Sequence, residues 1–393
     1  MRLFWIALFG LIALAWGIQA LRLAWGCRRI PRLTSIPPTP DADCPPVSIL
    51  FTARDEAATL PQALATLLAL DYPRFQVVAV DDRSTDGTTE ILREFARRDP
   101  RLRVVRVSEL PPGWLGKPHG LQTAYARSDG EWLVFTDADV RFAPDALRRA
   151  VALVRERGWD HLTLLVGTEM VGFWERTAVS YFALGFLMFT EVWRVERPAS
   201  KRYVGVGAFQ MLSRRCYEAV GCHRPLALEV VEDVWLGRQV KRGGFRSGVA
   251  LAETSVRVRW QEGLGNIVRG TTKNFFAGAG YSLPTVLAEL AGVFLLSVLP
   301  FAALPGLEGV PRLLAALAAL LPVAVHGVAA SILGISPLYG VTHPLGAILL
   351  AYMLARSTVV TLWRGGVTWR GTFYPLHELR RARREAERGK RAA

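Results

Sequence analysis

The chain is 393 residues long, 51% apolar by residue, with four cysteines and a formal net charge of +14. That length holds two domains, or one domain with membrane segments. The cysteines at 27, 44, 216 and 222 form no CxxC pair, which excludes a disulfide framework, and no zinc-finger spacing or RNA-binding aromatic motif accompanies the positive charge. A reducing compartment is the default for the soluble part.

Residues 3–25 are apolar except for Gln19 and Arg22, and Arg28, Arg29 and Arg32 follow at once. Such a stretch predicts a membrane-spanning helix over residues 1–26, its C-terminal side cytoplasmic, rather than a cleaved signal. Residues 27–46 contain IPPTPDADCPP and read as a stiff linker. A soluble domain is then expected over residues 47–283. VSILFT (47–52), FQVVAV (75–80), LRVVRV (102–107) and WLVFT (132–136) are short β-type runs. Between the first two, Leu60, Leu64, Leu67 and Leu68 share one helical face, and after the second Ser84 or Asp86 can cap a helix. This alternation predicts an α/β domain on an open, largely parallel sheet with right-handed crossovers.

Residues 173–193 are apolar but carry Glu175, Arg176 and Glu191. They read equally as an interfacial, substrate-facing helix of the soluble domain or as a core helix. Residues 284–304, 312–333 and 341–362 each have the length of a spanning helix, about three over 284–363. Three crossings put the tail at 364–393 on the side opposite a cytoplasmic soluble domain, whereas the tail has the charge of a cytoplasmic segment. That tail holds eight arginines and Lys390 against three glutamates, and it suits either anionic lipid or a solvated terminal helix.

In an open α/β sheet, ligands bind beyond the carboxyl ends of the strands. Each such end here is polar: Thr52, Ala53, Arg54, Asp55 and Glu56; then Asp81 and Asp82; then Asp137 and Asp139. In extended chain, Asp137 and Asp139 point the same way and can share one Mg2+ or Mn2+, which completes its shell with diphosphate oxygens. LEVVEDVWLGRQVKRGG (228–244) predicts a helix from Asp233 to Gly243-Gly244, where Glu232 and Asp233 either cap the helix or do chemistry. Gly205 and Gly207 either admit a ligand or permit close strand packing.

Taken in order, TARDE, DDRSTDGT, Gly116-Lys117, DAD at 137–139 and Glu232-Asp233 resemble the motifs of inverting family 2 glycosyltransferases, which have the GT-A fold. With GVTWRGTFYP at 366–375, the flanking apolar segments resemble the bacterial membrane-bound subgroup associated with lipid, carotenoid and hopanoid glycosylation. The resemblance implies that Thr52, Ala53, Arg54, Glu56, Asp81 and Asp82 contact the nucleotide. It implies that Lys117, with His119, faces the diphosphate, that Asp137 and Asp139 hold the metal, and that Asp233, beside Glu232, is the general base. Arg269 or Lys273 would neutralise diphosphate charge. The QxxRW motif of processive members is lost: the two segments that could hold it contain Asn266 with Arg269, and Arg259-Trp260. A single transfer from a UDP-sugar to a lipid-like acceptor at the inner membrane is therefore expected, with no nucleic acid involved. A processive synthase and a non-catalytic nucleotide-sugar sensor or transporter are the alternatives, while an oxidoreductase lacks GxGxxG.

Overall fold

A computed structural model describes residues 1–388 and divides the chain into two compact units. One gathers Met1–Arg29, Met170–Glu191 and Trp260–Arg380; the other gathers Ile30–Glu169, Val192–Arg259 and the chain from Arg381. In chain order, α1 (Arg2–Cys27) precedes β1 (Val47–Ala53), α2 (Leu60–Leu68), β2 (Phe75–Asp82), α3 (Thr88–Arg98), β3 (Leu102–Val107), α4 (Gly116–Tyr125) and β4 (Trp132–Phe135). Then come β5 (Arg141–Phe142), α5 (Ala146–Arg157), β6 (His161–Thr168), α6 (Gly172–Thr190), β7 (Gln210–Ser213), α7 (Arg214–Ala219), α8 (Glu232–Arg242) and β8 (Ser247–Val258).

The second unit is built on one eight-stranded sheet in the order β3-β2-β1-β4-β7-β6-β8-β5. Its first four strands run parallel, as does the β6/β8 pair, whereas β7 is antiparallel to both neighbours and β5 to β8. Alternate strand residues feed opposite layers, as the two-residue period requires. Ile49, Phe51, Val77 and Ala79 pack with Leu60, Leu64, Leu67 and Leu92 of α2 and α3. Leu50, Val78, Val80 and Phe135 pack with Leu121, Leu236 and Val240 of α4 and α8. Leu60, Leu64 and Leu67 are at most 3% exposed, and each contributes about 2 kcal/mol of burial. Asp86 supplies the predicted start of α3, its Oδ1 accepting from Thr88 N at 2.9 Å. Ser84 instead accepts from Asp55 N at 3.1 Å.

Three expectations about organisation are corrected. Residues 30–46 are not a free linker: Leu33 and Cys44 are fully buried, and Leu251 N donates to Pro31 O at 2.9 Å. Arg148 fastens the segment, reaching Thr39 O at 2.9 Å and Asp71 Oδ1 at 3.1 Å, with Asp41 at 2.5 Å. Residues 47–283 are not one uninterrupted domain, because Met170–Glu191 and the chain from Trp260 group with the apolar helices. The 173–193 segment is thus not part of the sheet-bearing unit. As α6 it lies against the helices Gly309–Ile332 and His343–Arg364, and Glu191, at its end, pairs with Arg22 of α1.

That first unit holds four helical segments long and apolar enough to cross a membrane: Arg2–Cys27, Leu283–Gly306, Gly309–Ile332 and Pro337–Arg364. A hairpin of Gly366–Trp369 and Thr372–Pro375 follows the last. The basic tail is thus partly folded, as this hairpin and a helix Leu376–Arg388; Lys390 and Arg391 lie outside the described residues.

Replacing Arg148 removes its bonds to the Thr39 and Asp71 carbonyls and its pairing with the largely exposed Asp41 and Asp71, together worth about 1–3 kcal/mol. In limited proteolysis, Arg148→Ala is expected to be cut within residues 36–46 at protease levels that leave the parent chain intact. Equal resistance of the two proteins would show that the segment is held without it.

Candidate active site

The site forms where β1, β2 and β4 end together. The register sets Leu50 beside Phe135 and Ala53 beside Asp81, so their following loops leave the same edge. Because β7 runs the other way, with Gln210 opposite Phe135, the loop that precedes it enters at that edge too. α4 and α8 share the layer on one face, which brings their N-termini over it.

Lys117, in the first turn of α4, joins these pieces. Its Nζ lies 2.7 Å from Asp137 Oδ1 and 2.9 Å from Glu232 Oε1. Burial opposes a charge here, but Asp137, Glu232 and Asp233 outweigh it and hold the ammonium firmly protonated. Burial pushes the Glu232 carboxyl up, against the pull of Lys117. Asp233 sits beside this pair: its Oδ2 accepts from Gly207 N at 2.8 Å and its Oδ1 from Val234 N at 2.9 Å. Both glycines of VGVG are required at this point. A Cβ on Gly205 would collide with the Asp233 carbonyl, and one on Gly207 would stand 2.9 Å from Lys117 Nζ and 3.0 Å from Asp137 Oδ2. They serve close packing around the acidic pair.

The chain after β4 is not extended, since the strand stops at Phe135. The two aspartates therefore have different surroundings, although the charge of Asp137 still acts on Asp139. Asp137 turns to Lys117, while burial pushes Asp139 up to about 7, with Asp137 and Glu56 adding their negative potential. Among the described residues, no group of three or more His, Cys, Asp or Glu is arranged to hold a metal.

The remaining predicted residues divide by environment. Thr52 Oγ1 is buried without a hydrogen-bond partner at the end of β1, next to the fully buried Ala53. Arg54 approaches Asp82 at 3.9 Å, and Arg83 pairs with the same carboxylate at 2.8 Å. His119 stacks edge-on to Trp114 at 5.7 Å. Asp81 is fully buried and is taken up by Thr89 Oγ1 at 2.5 Å and Ser84 N at 3.1 Å. That makes it a brace between β2 and α3, correcting its expected nucleotide contact. α8 begins at Glu232, one residue before the predicted start. Arg269 and Lys273 belong to the apolar unit, where Arg269 bonds Asn266 at 2.7 Å and Lys273 lies 4.2 Å from the Trp369 ring centroid.

Sequence reasoning missed the support beneath Asp233. Gln210 Nε2 donates to the Asp233 carbonyl at 3.2 Å, and its Oε1 faces His161 Nε2 at 3.1 Å. His161 Nδ1 meets Ser247 Oγ at 2.8 Å, so the neutral ring donates to Gln210 and accepts from the serine. The only available signal was a glutamine opening an otherwise apolar strand. His223 lines the same pocket as Lys117, Gly207 and Asp233, and its Nδ1 meets Tyr217 Oη at 2.5 Å.

Burial lowers His161 to about 4 and, with Lys117 nearby, lowers His223 to about 3. Each therefore favours the fold above its unfolded value near 6.5 and loses that contribution as pH falls toward the folded value. His161 alone accounts for about 2 kcal/mol by pH 5. Thermal unfolding in detergent should show the midpoint falling between pH 7 and pH 5, with a shallower slope in His161→Gln. A midpoint flat over that range would show that neither ring is neutral and buried in the folded state.

Residues 48–219 match the family model described as Glycosyl transferase family 2. The chain is 32% identical over 181 residues to the beta-monoglucosyldiacylglycerol synthase of Synechocystis sp., covering 45% of this chain and 36% of that protein. Against the 4,4'-diaponeurosporenoate glycosyltransferase of Staphylococcus aureus it is 24% identical over 253 residues, covering 62% and 64%. The chain thus matches less than two thirds of each of these relatives. Among solved structures, the mannosyltransferase PcManGT from Pyrobaculum calidifontis superposes with a TM-score of 0.55 at 20% identity, over 92% of this chain and 99% of its own. Residues 48–219 thus match a family 2 glycosyltransferase domain, and the fold is the GT-A-like one shared with this neighbour.

Proposed function

We propose that the protein is a membrane-bound, inverting glycosyltransferase that moves one sugar from a nucleotide-diphosphate sugar, a UDP-sugar in the first instance, to a hydroxyl or carboxyl group on a lipid-like acceptor. The observation that carries this reading is Asp233, held on the Gly207 N–H beside the Lys117–Asp137 pair at the carboxyl edge of the sheet. Inverting transfer needs a carboxylate that accepts the acceptor's proton as the new bond forms. Asp233 fits that role because its main chain is fixed by Gln210 and its side chain by Gly207, leaving little to reorganise.

Lys117 is the cation nearest the place where diphosphate charge would build up, and its three carboxylate neighbours keep it charged. Thr52, Arg54, Glu56 and Asp82 lie at the ends of β1 and β2, where the base and ribose would rest. The donor set of Asp139 with Asp137 suits Mg2+ or Mn2+: hard oxygen ligands, few in number, with Asp139 pushed up by burial first and by the charges of Asp137 and Glu56 second, a cost that a cation would offset. When bound, such an ion supplies electrostatic stabilisation of the departing diphosphate. The mannosyltransferase PcManGT is described in complex with GDP-Man and Mn2+, which supports a nucleotide-sugar donor and a divalent ion. A lipid-like acceptor is supported by the name of the diacylglycerol-modifying relative and by the four apolar helices. The multi-pass, inner-membrane location with a cytoplasmic catalytic unit belongs to the same proposal.

Turnover tests it. Detergent-purified protein, given UDP- and GDP-sugars with Mn2+ or Mg2+ and a lipid extract, should release nucleotide and glycosylate lipid. Asp233→Asn should lower kcat by roughly a thousandfold, in the range of a lost general base, while still binding the nucleotide. Asp139→Asn should lose the metal dependence. Nucleotide binding with no turnover on any donor, unaltered by Asp233→Asn, would sink the transferase reading in favour of a sensor.

A further inference from the structure

From Arg381 onward the C-terminal helix packs on α8. The Arg383 guanidinium stands 4.5 Å from the ring centroid of Trp235, and Arg238 stands 4.1 Å from the same ring, so the indole meets two cations. Arg238 in turn meets Glu387 at 3.5 Å, which ties the two helices together a second time. Trp235 is only 7% exposed in consequence.

A separate observation lies just ahead of α8. Glu229 is 8% exposed, and its Oε1 has no hydrogen-bond partner. Burial pushes its carboxyl up to about 7, and Arg383 heads the groups that draw it back. Arg383 therefore serves Trp235 and Glu229, the two side chains that bracket Glu232 and Asp233 in sequence.

The first turn of α8 needs such help. Its N-cap is Val231, which provides no side-chain cap, and the helix is only 11 residues long. A helix this short is marginal by its own hydrogen bonds. It must nonetheless hold two adjacent carboxylates at its start, with Asp233 seated on Gly207 N.

We propose that Arg383 and Trp235 are positioning residues for the transfer reaction, the C-terminal helix clamping the first turn of α8 so that Asp233 keeps its place. The proposal rests on the reading of Asp233 as the general base. Neither residue touches the reacting atoms; both act through the placement of α8. The basic tail on this view has a catalytic-support role besides any attraction to anionic lipid.

The test uses the full chain in detergent with native lipid, measuring kcat, donor KM and thermal midpoint. Arg383→Ala should lower kcat about tenfold, as expected for a small misplacement of a reacting group, with donor KM changed less than about twofold. Arg383→Lys, which keeps the cation, should recover to within about threefold of the parent. Adding Glu229→Gln to Arg383→Ala should also recover part of kcat, because it removes the carboxylate left without its cation. Parent-like kcat in Arg383→Ala overturns the proposal, as does a rise in KM alone. A loss in which neither Lys nor the added Glu229→Gln restores kcat also overturns it. If Arg383→Ala fails to fold, Arg383→Gln, which removes the charge but keeps most of the side chain, decides: a reduced kcat at unchanged KM supports the clamp, and parent-like values overturn it. Asp233→Asn separates the two readings. If it abolishes turnover while Arg383→Ala has no effect, the base stands and the clamp fails; if Asp233→Asn turns over normally, the base reading itself fails and the clamp with it.

Discussion

One ammonium group holds the site together. Lys117 Nζ bonds Asp137, which follows β4, and Glu232, which opens α8, while itself riding on α4. Three elements far apart in sequence meet at that nitrogen, in surroundings that penalise any charge left unpaired. Close by, burial first and then the charges of Asp137 and Glu56 push the Asp139 carboxyl up to about 7.

Such a concentration of charge is tolerated because the polar groups behind it have partners. Asp233 is held at both ends, by Gly207 through its side chain and by Gln210 through its carbonyl. Gln210 is oriented by His161, and His161 by Ser247, so the chain of donors and acceptors runs through three strands. The glycines at 205 and 207 let the backbone come near enough for the first of these bonds.

The two units interleave along the chain, and each is intelligible by its own physics. The sheet-bearing unit buries alternating strand residues on both faces. The other unit offers long apolar helices with exposed leucine and phenylalanine, among them Leu3, Phe4, Leu313 and Leu320, a surface that suits a lipid solvent better than water. Inside it, the pairing of Arg22 with Glu191 neutralises charge that an apolar setting would penalise.

The fold class, the first four strands and the four apolar segments were legible in the sequence because each rests on local periodicity and length, which neighbouring residues determine by themselves. That the loops after β1, β2 and β4 would leave one sheet edge was legible as well, since parallel strands separated by helices end together. The pairing of Asp137 with Lys117 was not, because it depends on a lysine arriving from a helix 20 residues earlier. The burial of Asp81, the docking of residues 30–46 and the placing of 170–191 among the apolar helices were equally hidden. All of these turn on which surfaces meet after the chain has folded, and a period read along the sequence carries no information about partners distant in it.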